Sequence, residues 1–148
     1  MERSRSSFEQ ASAALERIAL GAVAVTTRAL AMVGVELTFA QWRAMVIVGE
    51  REVGATVTEV AERLGSEISP TSRLVRRLVA RGFVVTHKDD ADRRVTRVAI
   101  TPAGAAIRRA VLERRRMVLD QVLAGAGEVD PSIAALLDRI GDGFRGLV

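Results

Sequence analysis

Five arginines, Arg73, Arg76, Arg77, Arg93 and Arg94, stand in two tight groups separated by an apolar, β-branched stretch. Arginine is always charged and presents a planar fork of donors, so it binds phosphate and the guanine edge in a bidentate way. The first group comes with Ser69, Thr71 and Ser72, short hydroxyl side chains that also reach phosphates and bases. The second lies in the polar run Asp89-Asp90-Ala91-Asp92-Arg93-Arg94. A solvated arginine face is the plain alternative for either group, and the flanking segments decide against it.

Those segments set the groups on a helix and a hairpin. Ser69 suits the N-cap of a helix and Pro70 its first position, where a missing N–H loses no bond. Leu74, Val75, Leu78 and Val79 then form one apolar side, leaving Thr71, Ser72, Arg73, Arg76 and Arg77 on the other. Gly82 supplies the left-handed residue that ends the helix. Before it, Val60, Ala61 and Leu64 mark a short helix with Thr58 as N-cap and Gly65 as terminator. Two short helices joined by so brief a turn make a helix-turn-helix. After it, 83–88 and 95–100 are β-branched runs suited to paired strands, with 89–94 as their tip. A helix-turn-helix followed by a hairpin is a winged helix, and its tip arginines reach phosphates or a minor groove.

Long helices flank this core. Residues 8–33 read as one helix, apolar nearly all round, which points to burial against a second subunit. Leu37-Thr38-Phe39-Ala40-Gln41-Trp42 starts another: Thr38 and Gln41 make a capping box, Leu37 and Trp42 a hydrophobic staple. Trp42 reads as core, with a ligand cleft as the alternative. Thr101-Pro102 and Asp130-Pro131 open two further helices, to about Leu123 and Phe144. The fold expected is mainly α, with a small two- or three-stranded β-wing. Residues 1–36 form an N-terminal dimerisation helix, 37–101 the winged helix-turn-helix, and 102–148 C-terminal dimerisation helices.

Charge distribution agrees. The net charge is only +4, but residues 63–116 hold 14 basic and 5 acidic side chains. Such segregation is the footprint of a polyanion binder. Of the 22 basic residues only Lys88 is lysine, a bias that genome base composition also produces. With no Cys and one His, thiol chemistry and an ordinary zinc site are unavailable, and no cofactor is expected. His87 lies on a wing strand rather than beside a nucleophile or carboxylate pair, and Gly125-Ala126-Gly127 is a helix terminator rather than a nucleotide loop. An enzyme is thus disfavoured. No run of 18 apolar residues or leader pattern is present, so no membrane partner is expected and a cytoplasmic location is.

In this order and at these spacings the residues resemble the MarR family of bacterial transcription regulators, across essentially the whole chain. The match is carried by Leu37-Thr38 with Gln41-Trp42, and by Val57-Thr58 with Val60-Ala61 and Leu64-Gly65. It continues in Thr71-Ser72-Arg73-Leu74-Val75 with Arg77-Leu78 and Gly82-Phe83-Val84, and in Asp92-Arg93-Arg94 with Val98, Ile100-Thr101 and Gly104. The resemblance implies a homodimer on double-stranded DNA, probing a pseudo-palindromic operator and acting as a repressor. It puts Ser72, Arg73 and Arg77 at recognition-helix contacts, Arg94 in the minor groove, and Asp92 at the residue that orients the wing. Arg76 departs from the pattern, since that position is often acidic, and becomes an extra phosphate contact. Cysteine-based peroxide sensing and zinc sensing, both found in the family, are closed to this chain. Any signal is therefore a small organic molecule, bound between the helical body and the winged helix near Phe39 and Trp42. A winged-helix architectural or protein-interaction module without operator specificity is the alternative.

Overall fold

The computed structural model describes residues 2–147, with side chains described from 6 to 144. Six helices and three short strands follow in the order α1 (Glu2–Met32), α2 (Phe39–Val48), β1 (Ala55–Thr56), α3 (Val57–Leu64), α4 (Ile68–Ala80), β2 (Val84–Lys88), β3 (Thr96–Ile100), α5 (Pro102–Ala126) and α6 (Pro131–Leu147). The expected mainly α architecture with a small β-wing is what forms. The sheet is antiparallel in the order β1-β3-β2, with Ala55 opposite Val98 and Val84 opposite Ile100.

Local chemistry explains the starts of the elements. Thr38 Oγ1 accepts from Gln41 N at 3.2 Å while Gln41 Oε1 accepts from Thr38 N at 3.0 Å, the reciprocal box read from the sequence. The start of α3 differs from the expectation: Thr56, not Thr58, is its N-cap. Thr56 Oγ1 accepts from Glu59 N at 3.1 Å, and Glu59 Oε2 accepts from Thr56 N at 2.7 Å. The Thr-x-x-Glu pattern at 56–59 supplies two matched partners, which Thr58 lacks. That cap also ends β1, a two-residue strand. The terminal helices run longer than expected, because no Pro or Gly interrupts 2–7 and Gly125 sits inside α5 without breaking it.

Two apolar clusters hold these elements. One lies beneath the helix-turn-helix and sheet, where Met45, Val60, Leu78 and Val98 are wholly buried among Val48, Val75 and Val84. The other joins α1, α2 and α5 through Ala29, Leu30, Trp42 and Val111. Each aliphatic side chain fully removed from water contributes about 1.5–3 kcal/mol, enough for both clusters to fix the helices they touch. Leu37 packs against both, so the staple residue ties the winged helix to the long helices. At the entry to α5 the backbone of Gly104 lies so close to Phe83 that a Cβ would meet its carbonyl oxygen at 2.1 Å. Thr101 caps the same turn, accepting from Gly104 N at 3.1 Å and donating through its backbone N–H to Phe83 O at 3.1 Å. The end of the helix-turn-helix is thereby fastened to α5. None of the helices among the described residues is long and apolar enough to cross a membrane.

Candidate nucleic-acid interface

Helix α4 starts earlier than the sequence suggests, and this moves two expected roles. Glu67 is the N-cap, without a side-chain cap bond, so Ser69 and Pro70 fall at the second and third helical positions. Pro70 is tolerated there because the first N–H to find a helical carbonyl is that of Thr71, which donates to Glu67 O at 3.3 Å. Thr71, expected on the DNA side, is instead 1% exposed, and its hydroxyl donates to the same Glu67 carbonyl at 2.8 Å. Val75 and Leu78 lie buried on that inner side, while Val79 is 38% exposed rather than part of the apolar face. The outer side of α4 therefore carries Ser69, Arg73, Arg76 and Arg77, all exposed, with half-buried Ser72 at its flank. Gly82, at φ 71°, turns the chain out of the helix into β2.

The wing is built by carboxylates. Asp89 Oδ1 accepts from Ala91 N at 2.9 Å and Asp92 N at 3.0 Å, while its Oδ2 pairs with Arg97 Nε. Asp92 Oδ1 accepts from Arg94 N at 2.9 Å, a bond within the turn of the tip. The Arg97 guanidinium, with the backbone N–H groups of Asp92 and Ala91, holds the Asp89 carboxyl down to about 2. Asp89 in turn raises the pKa of Arg97. Behind them, Glu59 is lowered chiefly by the Thr56 backbone N–H, and Arg51 Nη1 also donates to it at 2.8 Å. Arg93 and Arg94 are exposed at the tip, and among the described residues no hydrogen bond or ion pair engages the side chains of Arg73, Arg76, Arg77, Arg93 or Arg94.

A second group of arginines lies away from this surface. A cavity of about 220 Å³ is lined by Thr26, Phe39, Trp42, Arg43, Val46, Ile47, Arg63 and Arg115. Arg43 Nη2 donates to Arg63 O at 2.8 Å, and Arg63 Nη1 pairs with Glu50 at 2.7 Å. Arg115 Nε is buried without a partner among the described residues, and desolvation lowers the pKa of its guanidinium. The two expected ligand residues thus share one cavity: Trp42 is 2% exposed in its wall and Phe39 is 40% exposed at its mouth. The arginines around them were not anticipated. Nothing in Arg114-Arg115-Arg116 marks the middle residue as the inward one, since that follows from how α5 rolls onto α2. Asp89, Arg97 and Glu59 were missed for the same reason, being partners across strands and helices.

An exposed, arginine-bearing helix in a helix-turn-helix, followed by an arginine-tipped wing, defines a winged-helix DNA-binding protein. Residues 35–95 match the model of the MarR family, whose members are transcription regulators and not enzymes. The fold is shared with RV1404 from Mycobacterium tuberculosis at a TM-score of 0.71 and 26% identity, covering 91% of this chain and 90% of that one. It is shared also with a MarR family protein from Bacillus stearothermophilus, at a TM-score of 0.75 and 23% identity over 99% and 96% of the two chains. A third similar structure is Bordetella bronchiseptica BpsR, whose DNA binding is regulated by 6-hydroxynicotinic acid; its TM-score is 0.63 and its identity 19%, over 88% and 89%. No curated protein matches the chain.

Proposed function

We propose that this regulator is a cytoplasmic homodimer that recognises a pseudo-palindromic operator and represses transcription until a small organic acid releases it. The observation that carries the DNA reading is the set of five unengaged arginines on α4 and the wing tip, beside acidic residues already committed to folding that tip. Arg73 and Arg77, with Ser72, read bases in the major groove. Arg76 and Arg93 contact phosphates, Ser69 adds a backbone contact, and Arg94 enters the minor groove, oriented through Asp92. If Arg73 or Arg77 reads a base, its change to Ala costs about 1–3 kcal/mol on the selected operator and little on random DNA. An equal loss on both would make it a backbone contact, and equal affinity of the unsubstituted protein for both would favour an architectural role.

The dimer reading is supported by apolar surface on the flanking helices. Every described residue of α6 except Ile140 is exposed, including Ile133, Leu136, Leu137 and Phe144. Phe8, Ile18 and Leu20 of α1 and Val122 of α5 are each more than half exposed. A monomer rarely leaves so much contiguous apolar surface in water, whereas two copies sharing these helices cover it. On this reading 1–36 and 102–148 form the paired body and 37–101 the DNA-binding unit. Sedimentation at micromolar concentration should give a dimer, with a stable monomer as the contrary result.

The effector reading rests on the arginine-lined cavity. Arg115 is half-buried with its Nε shut from water and unbonded among the described residues, and a carboxylate beside it would supply the missing acceptor while an aromatic ring lies against Trp42 and Phe39. That the DNA binding of BpsR responds to an aromatic carboxylic acid supports this class of ligand. Trp42 is the only tryptophan, so its fluorescence reports on the cavity. Titration with small aromatic carboxylic acids, 6-hydroxynicotinic acid first, should change that signal in the unsubstituted protein and not in Arg115→Gln.

A further inference from the structure

Arg97 is the one arginine of the hairpin strands, and it turns back toward the protein instead of outward. Its side chain is 23% exposed, pairs through Nε with Asp89, and brings Nη1 to 3.9 Å from Glu59 Oε2. Both acidic partners are themselves fixed. Glu59 is tied into the first turn of α3 by Thr56 N at 2.7 Å and to Arg51 Nη1 at 2.8 Å. Asp89 gathers the backbone N–H groups of Ala91 and Asp92, and Asp92 then accepts from Arg94 N at 2.9 Å. Strand register reinforces the link, since Arg97 lies opposite Thr56, the cap of α3, in the β1–β3 pairing. A continuous run of polar contacts thus connects the start of the helix-turn-helix to the backbone of Arg94.

We infer that Arg97 is a positioning residue for DNA binding: bridging Glu59 and Asp89, it locks the wing tip to the helix-turn-helix so that Arg94 enters the duplex in step with α4. The inference rests on the DNA-binding reading above. Arginine suits the task because its rigid fork engages two carboxylates in one plane, which the point charge of lysine does not. Ion pairs at this degree of exposure add little to global stability. Their effect falls on the tip, where a wing arginine held in place before binding loses less freedom on contact than one that must be ordered by the DNA. Arg97 is therefore no phosphate contact, and its partner Asp89 promotes binding although it carries the charge that DNA repels.

That last consequence separates positioning from simple electrostatics. The experiment compares Arg97→Ala, Asp89→Asn and Arg94→Ala, and each of the first two combined with Arg94→Ala. The probe is the duplex that the unsubstituted protein enriches from a random-sequence pool. Arg97→Ala and Asp89→Asn should each weaken binding about tenfold, the scale of ordering one or two interface side chains, with melting temperature nearly unchanged. Neither should add a further loss once Arg94 is alanine, because both act through it. Tighter binding by Asp89→Asn, or losses that add to that of Arg94→Ala, would overturn the inference. Failure of the unsubstituted protein to enrich any duplex would defeat the DNA-binding reading itself, and this inference with it.

Discussion

Two neighbouring residues of α4 should respond in opposite ways to truncation, and the contrast fixes which side of the helix faces DNA. Leu78 is 0% exposed and Val79 is 38% exposed. Leu78→Ala removes three carbons from the cluster formed with Met45, Val48, Val60 and Val98. At about 0.8 kcal/mol per methylene, the transfer part is ~2.4 kcal/mol. Leaving about 50 Å³ unfilled adds ~1.2 kcal/mol at about 24 cal/mol per Å³. The expected loss is then about 3.5 kcal/mol, or a fall of about 10 °C in Tm for a chain of this size. Val79→Ala gives up partly wet methyl groups and gains helix propensity, so its effect should stay within about 0.5 kcal/mol. Urea denaturation followed by far-UV circular dichroism measures both, with a shifted midpoint and an unchanged slope as the signature. Equal losses, or a larger one at Val79, would mean that α4 is rotated and that Arg73, Arg76 and Arg77 do not share the outer face.

Thr71→Val should cost about 1 kcal/mol of stability, the worth of the bond to Glu67 O, and leave DNA affinity unchanged; an affinity loss like that of Arg73→Ala would return Thr71 to the DNA face. Gly104→Ala should destabilise by about 1–3 kcal/mol, because its Cβ must push Phe83 O away from 2.1 Å; parent-like melting would show that α5 is not fastened there. Asp89 has a pKa lowered from 3.8 to about 2, so its bridge contributes above pH 3.8 and is lost as pH falls through about 2. The Asp89 carboxyl carbon should accordingly titrate near 2 by NMR in the unsubstituted protein and at a higher pH in Arg97→Ala, where the backbone N–H groups of Ala91 and Asp92 still keep it below its ordinary value; the same midpoint in both would dispose of the bridge.

Much of the fold was legible because its signals are local. Thr38 and Gln41 are three residues apart, and so are the cap and the residue it serves; no distant contact is needed to see the helix begin. The misreadings have the same origin. Ser69-Pro70 imitates a cap followed by a first-turn proline, yet a proline fits the third position as well, and only Thr71 reaching back to Glu67 decides between them. Thr56 and Thr58 both precede the same apolar stripe, and the glutamate at position 59 pairs only with the earlier one. What could not be read was the non-local part of the site. Arg97 looks like any alternating strand residue until β1 brings Thr56 and Glu59 beside it. Arg115 looks solvated until α5 packs on α2 and turns it toward Trp42.

A regulator built this way must recognise a particular duplex through the exposed arginines of α4 and the wing. Selection of bound sites from a random-sequence pool, followed by titration of the enriched duplex and a scrambled one at two salt concentrations, tests this most directly. The expected result is a dyad-symmetric site bound on the order of 10³-fold or more tightly than the scrambled duplex, with affinity for both falling steeply as salt rises. Equal affinity for the two duplexes, or binding indifferent to salt, would contradict it.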